Sequence, residues 1–445
     1  MGRVSNAKLA APGDLIIEDI TLTSASGFSL SIWNLIYSVE IYEDLYSNSL
    51  SGTIIFGDSL ALSRHLPLVG EEKIKIVFYT PGQEDQPQKK IELNMRVYKI
   101  SKRLKLGADK AVMISVEMVS EEFFQNSTMK FSKSFSKIPY SDMVQNIFDE
   151  YINPAVEQAG IEINADSERL HAFPTDGVRS LVVPYWSPFY TINWLANKAC
   201  AASNQAVADY MFFQSLDGSY QFMPITYFKN MPVTASYSDS PPDKTKDLLA
   251  FSNISEYTVL SVGNRLQDIG VGMFSSLLTT FDINNKKIES TVYRYSGNYT
   301  DVDHVDKHPL VPFTLDKYSD KVMSYRKVLA KNSYRYDGVE DNETHDLYAL
   351  NRQSLLNQMN TILIQATASG DSRRRVGDIV ELKIVSQEDT AKKSDPYDPY
   401  LSGNYLITKI NHSFTHDDYD IIMTLAKDSY ASPLPDKKEA QLKVL

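Results

Sequence analysis

Two distant stretches of the chain open alike. "VGEEKIKIVF", from Val69, and "VGDIVELKIV", from Val376, each begin Val-Gly-acid and run into an alternating apolar pattern. Alternation with period two is the mark of a half-buried strand. After the first stretch a polar loop leads to "RVYKIS", with Lys99-Ile100, and Met113 follows thirteen residues after Ile100. After the second, "SQEDTAKKSDPYDP" leads to "LITKIN", with Lys409-Ile410, and Met423 again follows thirteen residues after Ile410. A duplicated β unit is therefore expected, with two similar barrels in one chain.

The remaining pattern fits that expectation. Leu35, Tyr37, Val39 and Ile41 alternate, as do Leu50, Gly52, Ile54 and Phe56, then Ile74, Ile76 and Phe78, then Val112, Ile114, Val116 and Met118. Turn-rich stretches, "TPGQEDQPQ" and "KLGADK", separate strands of the first unit. Between the two units the character changes. "YSDMVQNIFDEYINPAVEQAG" reads as a helix with Ser141 as N-cap and Met143, Ile147 and Phe148 inward. "WSPFYTINWLANKACAAS" reads as a second, with Ser187 as cap, Pro188 at the first helical position, and Phe189, Ile192, Leu195 and Ala199 on one side. Asp217-Gly218 signals a hairpin between two aromatic strands. "DSPPDKTKD" reads as a linker, and "TLDKYSDKVMSYRKVLAKNSY" and "HDLYALNRQSLLNQMN" as helices.

The expected fold class is mainly β: two antiparallel barrels, a smaller α+β insertion and helical connectors. The expected division is a first barrel at 1–120, the insertion at 121–228, strands and helical connectors at 229–343, partly belonging to the second barrel, that barrel at 344–431, and a charged tail at 432–445.

Composition narrows the chemistry. The 445 residues are 43% hydrophobic and 23% charged, close to a soluble globular protein. No apolar run reaches membrane-spanning or signal-peptide length, so no membrane-spanning segment is expected and synthesis in the cytoplasm is. The single cysteine, Cys200, excludes internal disulfides and Cys-based zinc sites, and reads as a small buried hydrophobe. A formal net charge of −11 argues against general nucleic-acid binding and allows a surface along which DNA passes without sticking. The 27 tyrosines suit strands and interfaces. No phosphate loop, nucleophile elbow or H-E-x-x-H helix occurs, so no catalytic, cofactor or metal residue is assigned and no cofactor is expected.

Three polar clusters need separate readings. In "LITKINHSFTHDDYDIIMTLA", His412 and His416 lie four apart with Asp417, Asp418 and Asp420 behind them. A zinc pair at that spacing needs a helix, whereas the flanking alternation gives strands at 405–414 and 419–426; the stretch is read as a hairpin with a solvated tip, with His412, His416, Asp417 and Asp418 at or near the turn and without chemistry. Ile407, Ile410, Ile421 and Met423 are then core or interface residues. "DVDHVDKHP" places Asp301, Asp303, His304, Asp306 and His308 together, and the rival to a structural protein is a metal-dependent hydrolase built on them; the plain reading is a polar connector. Arg373-Arg374-Arg375 could touch DNA, but a charge run meeting an acidic neighbouring subunit is the expected role.

The run "LNRQSLLNQMNTILIQATASGDSRRRVGDIVELKI" followed by "SGNYLITKINHSF", the segment "SPFYTINWLANKA...DYMFFQSLDGSYQFMPI", and "SGTIIFGDSLALSRHLPLVGEEKIKIVFYTPG" together resemble, in order, the second barrel, the insertion and the first barrel of the baseplate hub proteins of contractile-tailed bacteriophages. Type VI secretion spike hubs are related. The resemblance covers about half the chain. It implies tail-tube-like barrels, a homotrimer whose six barrels form a pseudo-sixfold ring, and a symmetry adaptor between the sixfold tail tube protein and a threefold central spike. Other baseplate or tail components would be further partners, DNA would meet the chain only in passage through the channel, and the location would be the virion baseplate, assembled in the host cytoplasm. "PLPDKKEAQLKVL" is too short for a spike, which is expected as a separate polypeptide. A tail-tip hub of a non-contractile tail is the alternative within the same family.

Overall fold

The computed structural model describes residues 12–58, 68–81, 90–105, 112–161, 169–239, 252–283, 286–311, 325–331, 344–386 and 396–434. Thirteen of its strands share one sheet. In chain order they are β1 (Ile16–Thr23), β2 (Ser29–Ser31), β3 (Ile36–Asp44), β4 (Ser51–Asp58), β5 (Lys73–Tyr79), β6 (Ile91–Lys105), β7 (Val112–Ser120), β8 (Val233–Ser238), β9 (Ile254–Val262), β10 (Ile362–Ser369), β11 (Ile379–Lys383), β12 (Gly403–Phe414) and β13 (Tyr419–Lys427). Their spatial order is β9-β10-β13-β12-β3-β4-β7-β6-β5-β1-β2, with β11 also on β12 and β8 on β11. All pairs are antiparallel except β8 with β11. A bridge between Ser238 and Asn253 brings the end of β8 back to the start of β9.

The sheet contains two corresponding strand sets. β3-β4-β7-β6-β5 matches β9-β10-β13-β12-β11, and two of the irregularities match as well, while the shifts at Ile100/Lys102 and Val259/Ser261 each occur in one set alone. β3 bulges between Ile36 and Ser38 against β4, and β9 between Ile254 and Glu256 against β10. Likewise β6 bulges between Val97 and Lys99 against β7, and β12 between Ile407 and Lys409 against β13. Bulges are specific features, not noise, and two in the same places argue for duplication more firmly than the sequence motif does.

The motif itself has a structural basis. Gly70 (φ +89°) and Gly377 (φ +92°) both sit in the left-handed region that favours glycine. A Cβ on Gly377 would lie 2.9 Å from the Phe228 ring. Just beyond each glycine a carboxylate closes the turn: Glu72 accepts the Val69 N–H at 2.5 Å, and Asp378 accepts the Arg375 N–H at 3.2 Å. The Glu72 and Asp378 carbonyls then accept the N–H groups of Val97 and Ile407. The methionine spacing is coincidental. Ile410 pairs with Met423, but Ile100 pairs with Val116, and Met113 lies opposite Leu104.

Inward alternation holds through Leu50, Gly52, Ile54 and Phe56 and through Ile114, Val116 and Met118. It fails at Tyr37, which is exposed because the Ile36–Ser38 bulge changes the face. One apolar core runs through both strand sets.

A second core belongs to the insertion. There α2 (Tyr140–Ile147) and α4 (Pro188–Ala196) pack on short strands, among them Tyr210–Gln214 and Tyr220–Pro224 around Gly218, while α1 (Glu121–Thr128) lies against β6 and β7, and a π turn (Phe148–Ile152) and α3 (Asn153–Gln158) continue from α2. In α4, Ser187 and Pro188 hold the expected first positions and Phe189, Ile192 and Leu195 are buried. α2 corrects the sequence reading: Pro139 holds the cap position, and Ser141 is buried in the first turn with its N–H on Thr175 Oγ1.

Among the described residues four further α-helices follow: α5 (Ile225–Lys229), α6 (Arg265–Gly270), α7 (Tyr295–Asn298) and α8 (His345–Gln358). The helix expected in "TLDKYSDKVMSYRKVLAKNSY" is overturned where it is described. Tyr325–Lys331 is a strand, parallel to Ser275–Asp282 in a three-stranded sheet, while 314–324 and 332–334 lie outside the described residues, as do most of "DSPPDKTKD" and the tail from 435.

Candidate functional site

The junction of the two strand sets is the site with functional content. β12 belongs to both. Residues 403–406 pair with β11, the strand bulges at Thr408, and residues 409–414 pair with β3. The bulge lets one strand change partners without losing hydrogen bonds, since the Thr408 carbonyl accepts the Leu45 N–H at 2.9 Å. Lys409 and Asp44 add an ion pair at 2.9 Å across the seam. Ile407, Ile410, Ile421 and Met423 are all buried, as expected of core positions.

Glu43 is buried at this junction. Its Oε1 accepts the Leu216 N–H at 2.9 Å and its Oε2 the Val376 N–H at 3.2 Å. One side chain of the first set thus holds the insertion and the loop leading into β11. Burial pushes its carboxyl up to about 8, against the pull of these two donors and of Arg375. The alternation Val39, Ile41, Glu43 was the signal for an inward carboxylate, and sequence reasoning did not use it.

The hairpin tip divides. His416, Asp417 and Asp418 are exposed, Asp420 lies on the exposed side of β13, and the His416 ring packs tilted against Trp33, with centroids 4.1 Å apart. His412 contradicts the solvated-tip reading. It lies within β12 opposite Ile41 and Ile421, fully buried, and shares a 2.8 Å hydrogen bond between Nδ1 and the Tyr419 hydroxyl. Burial lowers its pKa to about 4, so the ring is neutral at ordinary pH.

The Asp301–His308 cluster spreads among different partners. His304 Nδ1 lies 2.8 Å from Asp428 Oδ2, which also meets Lys229 Nζ at 2.9 Å. Asp306 meets Lys427 Nζ at 3.1 Å. Asp301 and Asp303 are exposed, and His308 pairs with Tyr430 in a short strand. Among the described residues no group of three or more His, Cys, Asp or Glu is placed to hold a metal ion. Burial would raise the Asp428 pKa, but Lys229 and His304 hold it well below the usual carboxylate range. The connector, α5 and the end of β13 are therefore fastened by buried charge. The role of Lys229, Lys427 and Asp428 was not read from the sequence.

The arginine run meets acid within its own chain. Arg373 and Arg374 lie at 2.7 and 3.3 Å from Asp371, and Arg375 at 2.6 Å from Asp217. Cys200 is buried beyond the end of α4, and burial pushes its thiol up to about 11.

This architecture matches two solved structures over nearly their full length. A tail protein from Neisseria meningitidis MC58 aligns with 92% of this chain and 96% of its own, at 12% identity and a TM-score of 0.51. The 43 kDa tail protein of prophage MuSo2 from Shewanella oneidensis aligns with 92% and 98%, at 10% identity and a TM-score of 0.50. The chain has the fold of phage tail proteins. No protein-family model matches the sequence, and no curated protein matches it. Within the tail-protein fold, Glu43 and the Lys229–Asp428 pair sit where chain segments meet. Among the described residues no helix is long and apolar enough to cross a membrane.

Proposed function

We propose that the chain is the structural hub of a contractile phage-tail baseplate. Three copies would set six equivalent strand sets around a channel, joining the sixfold tail tube to a threefold central spike in the virion and letting DNA pass. The observation that carries this reading is the seam: two corresponding strand sets, with matching bulges, lie edge to edge in one chain through β12 and β3. A chain so built presents two near-copies of one surface, so a threefold assembly imitates sixfold symmetry. The tail-protein fold supports a tail structural role, and the role proposed is not enzymatic.

The charge distribution fits a channel that does not grip DNA. The formal net charge is −11, and all three arginines of the basic run are engaged by Asp371 or Asp217. Electron microscopy of the isolated protein tests the reading. Averaged end-on views should show a six-lobed ring with a central opening. Compact particles without an opening would contradict it.

A further inference from the structure

A cavity of about 180 Å³ opens between the insertion and the connector, lined by the loop 201–207, the start of α5 and residues 300–303. Small-molecule pockets run to about 300–1,000 Å³, so this one suits a single side chain. Phe173 and Tyr227 wall one side, with ring centroids 4.9 Å apart and tilted by 53°. Asp301 and Asp303 supply its charge. Both are exposed, and no Lys, Arg or His of the described residues lines the cavity. Among the described residues neither carboxylate is held in an ion pair.

The walls are set before any ligand arrives. Asn204 Nδ2 donates to the Asp301 carbonyl at 2.6 Å, and Asn204 Oδ1 accepts the Ala206 N–H at 3.0 Å. Val302, between the two aspartates, packs on the insertion core. Thr226 gives its hydroxyl to Asp209 at 2.8 Å. A cavity held open by its own chain loses little freedom when it is filled.

Aromatic faces and carboxylates together attract a cation, the ring through its quadrupole and the carboxylate through its charge. Among the described residues no third His, Cys, Asp or Glu joins the two aspartates to hold a metal ion, so the cation that fits is organic. We propose that this cavity seats one lysine or arginine side chain of a partner protein, its stem against Phe173 and Tyr227 and its charged head at Asp301 and Asp303. The surface that follows Tyr227 favours a protein over a free amine. Met231 and Val233 are 37% and 46% exposed, and a macromolecule covers such apolar area in the same contact. The cavity lies within one chain, and its filling does not depend on the ring.

Methyl NMR of the full chain tests this, with Val207, Thr226 and Val302 as reporters at the cavity. The probes are the capped tripeptide Ala-Arg-Ala, the same peptide with citrulline in place of arginine, and methylguanidinium. The arginine peptide should shift the three reporters saturably. Citrulline keeps the shape without the charge, and its peptide should bind about tenfold more weakly. Asp301→Asn combined with Asp303→Asn should weaken the arginine peptide as much while keeping the melting temperature, because both side chains are exposed. Tyr227→Leu should weaken it severalfold. Equal binding of the two peptides, or undiminished binding by the double Asn variant, would overturn the cationic site. Methylguanidinium binding as tightly as the arginine peptide would overturn the partner-protein assignment, since a free cation would then suffice. No shift with any probe would remove the site altogether.

Discussion

Glu43 accepts the Val376 N–H at 3.2 Å, so a carboxylate of the first strand set closes the turn that opens β11 of the second. Its other oxygen takes Leu216 of the insertion. Removing this side chain leaves two buried donors unpaired, at about 1–3 kcal/mol each. Glu43→Ala should therefore lower the unfolding free energy by several kcal/mol in denaturant titrations. The pH dependence follows from a folded pKa of about 8 against an ordinary 4.5. The folded state keeps the proton longer than the unfolded state, so this stabilisation is present below 4.5 and is lost as pH rises toward 8. Glu43→Gln should flatten that decline in melting curves taken from pH 5 to 9.

His412 gives the opposite slope. Its folded pKa of about 4 lies below its ordinary 6.5, so the unfolded chain takes the proton first. Stability is complete above 6.5 and falls as pH drops toward 4. His412→Leu should remove that slope. His412→Ala leaves a cavity and strands the Tyr419 hydroxyl, and should cost about 2–4 kcal/mol. His416→Ala, at an exposed tip, should cost under about 1 kcal/mol. Equal effects of the two alanine variants in urea titrations would contradict this division of the hairpin.

The Lys229–Asp428 pair is fully buried. Breaking such a pair strands one charge and costs about 3–5 kcal/mol. Lys229→Met should therefore destabilise far more than Lys409→Met, whose partner Asp44 lies at a partly exposed seam edge. Comparable melting temperatures for the two variants would show that the buried network does not fasten the connector.

The β architecture was legible because burial imposes period two on strands such as β4 and β7, and the insertion helices because α4 carries both its start signals and an apolar face. What escaped depends on contacts distant in sequence. "YRKVLAK" holds good helix formers, yet pairing with Ser275–Asp282 makes it a strand, an instance of tertiary override. The bulge at Ile36–Ser38 leaves no local signature, so Tyr37 was placed on the wrong face. His412 has polar neighbours on the hairpin side, and only the Tyr419 hydroxyl explains why a histidine is tolerated in the core. The seam itself joins residues 39–44 to 409–414, a pairing that no local pattern specifies.

Light scattering coupled to size-exclusion chromatography tests the central claim most directly. The account predicts a species of three chain masses that persists on dilution to micromolar concentration. A monodisperse species of one chain mass, unchanged at the highest attainable concentration, would contradict it.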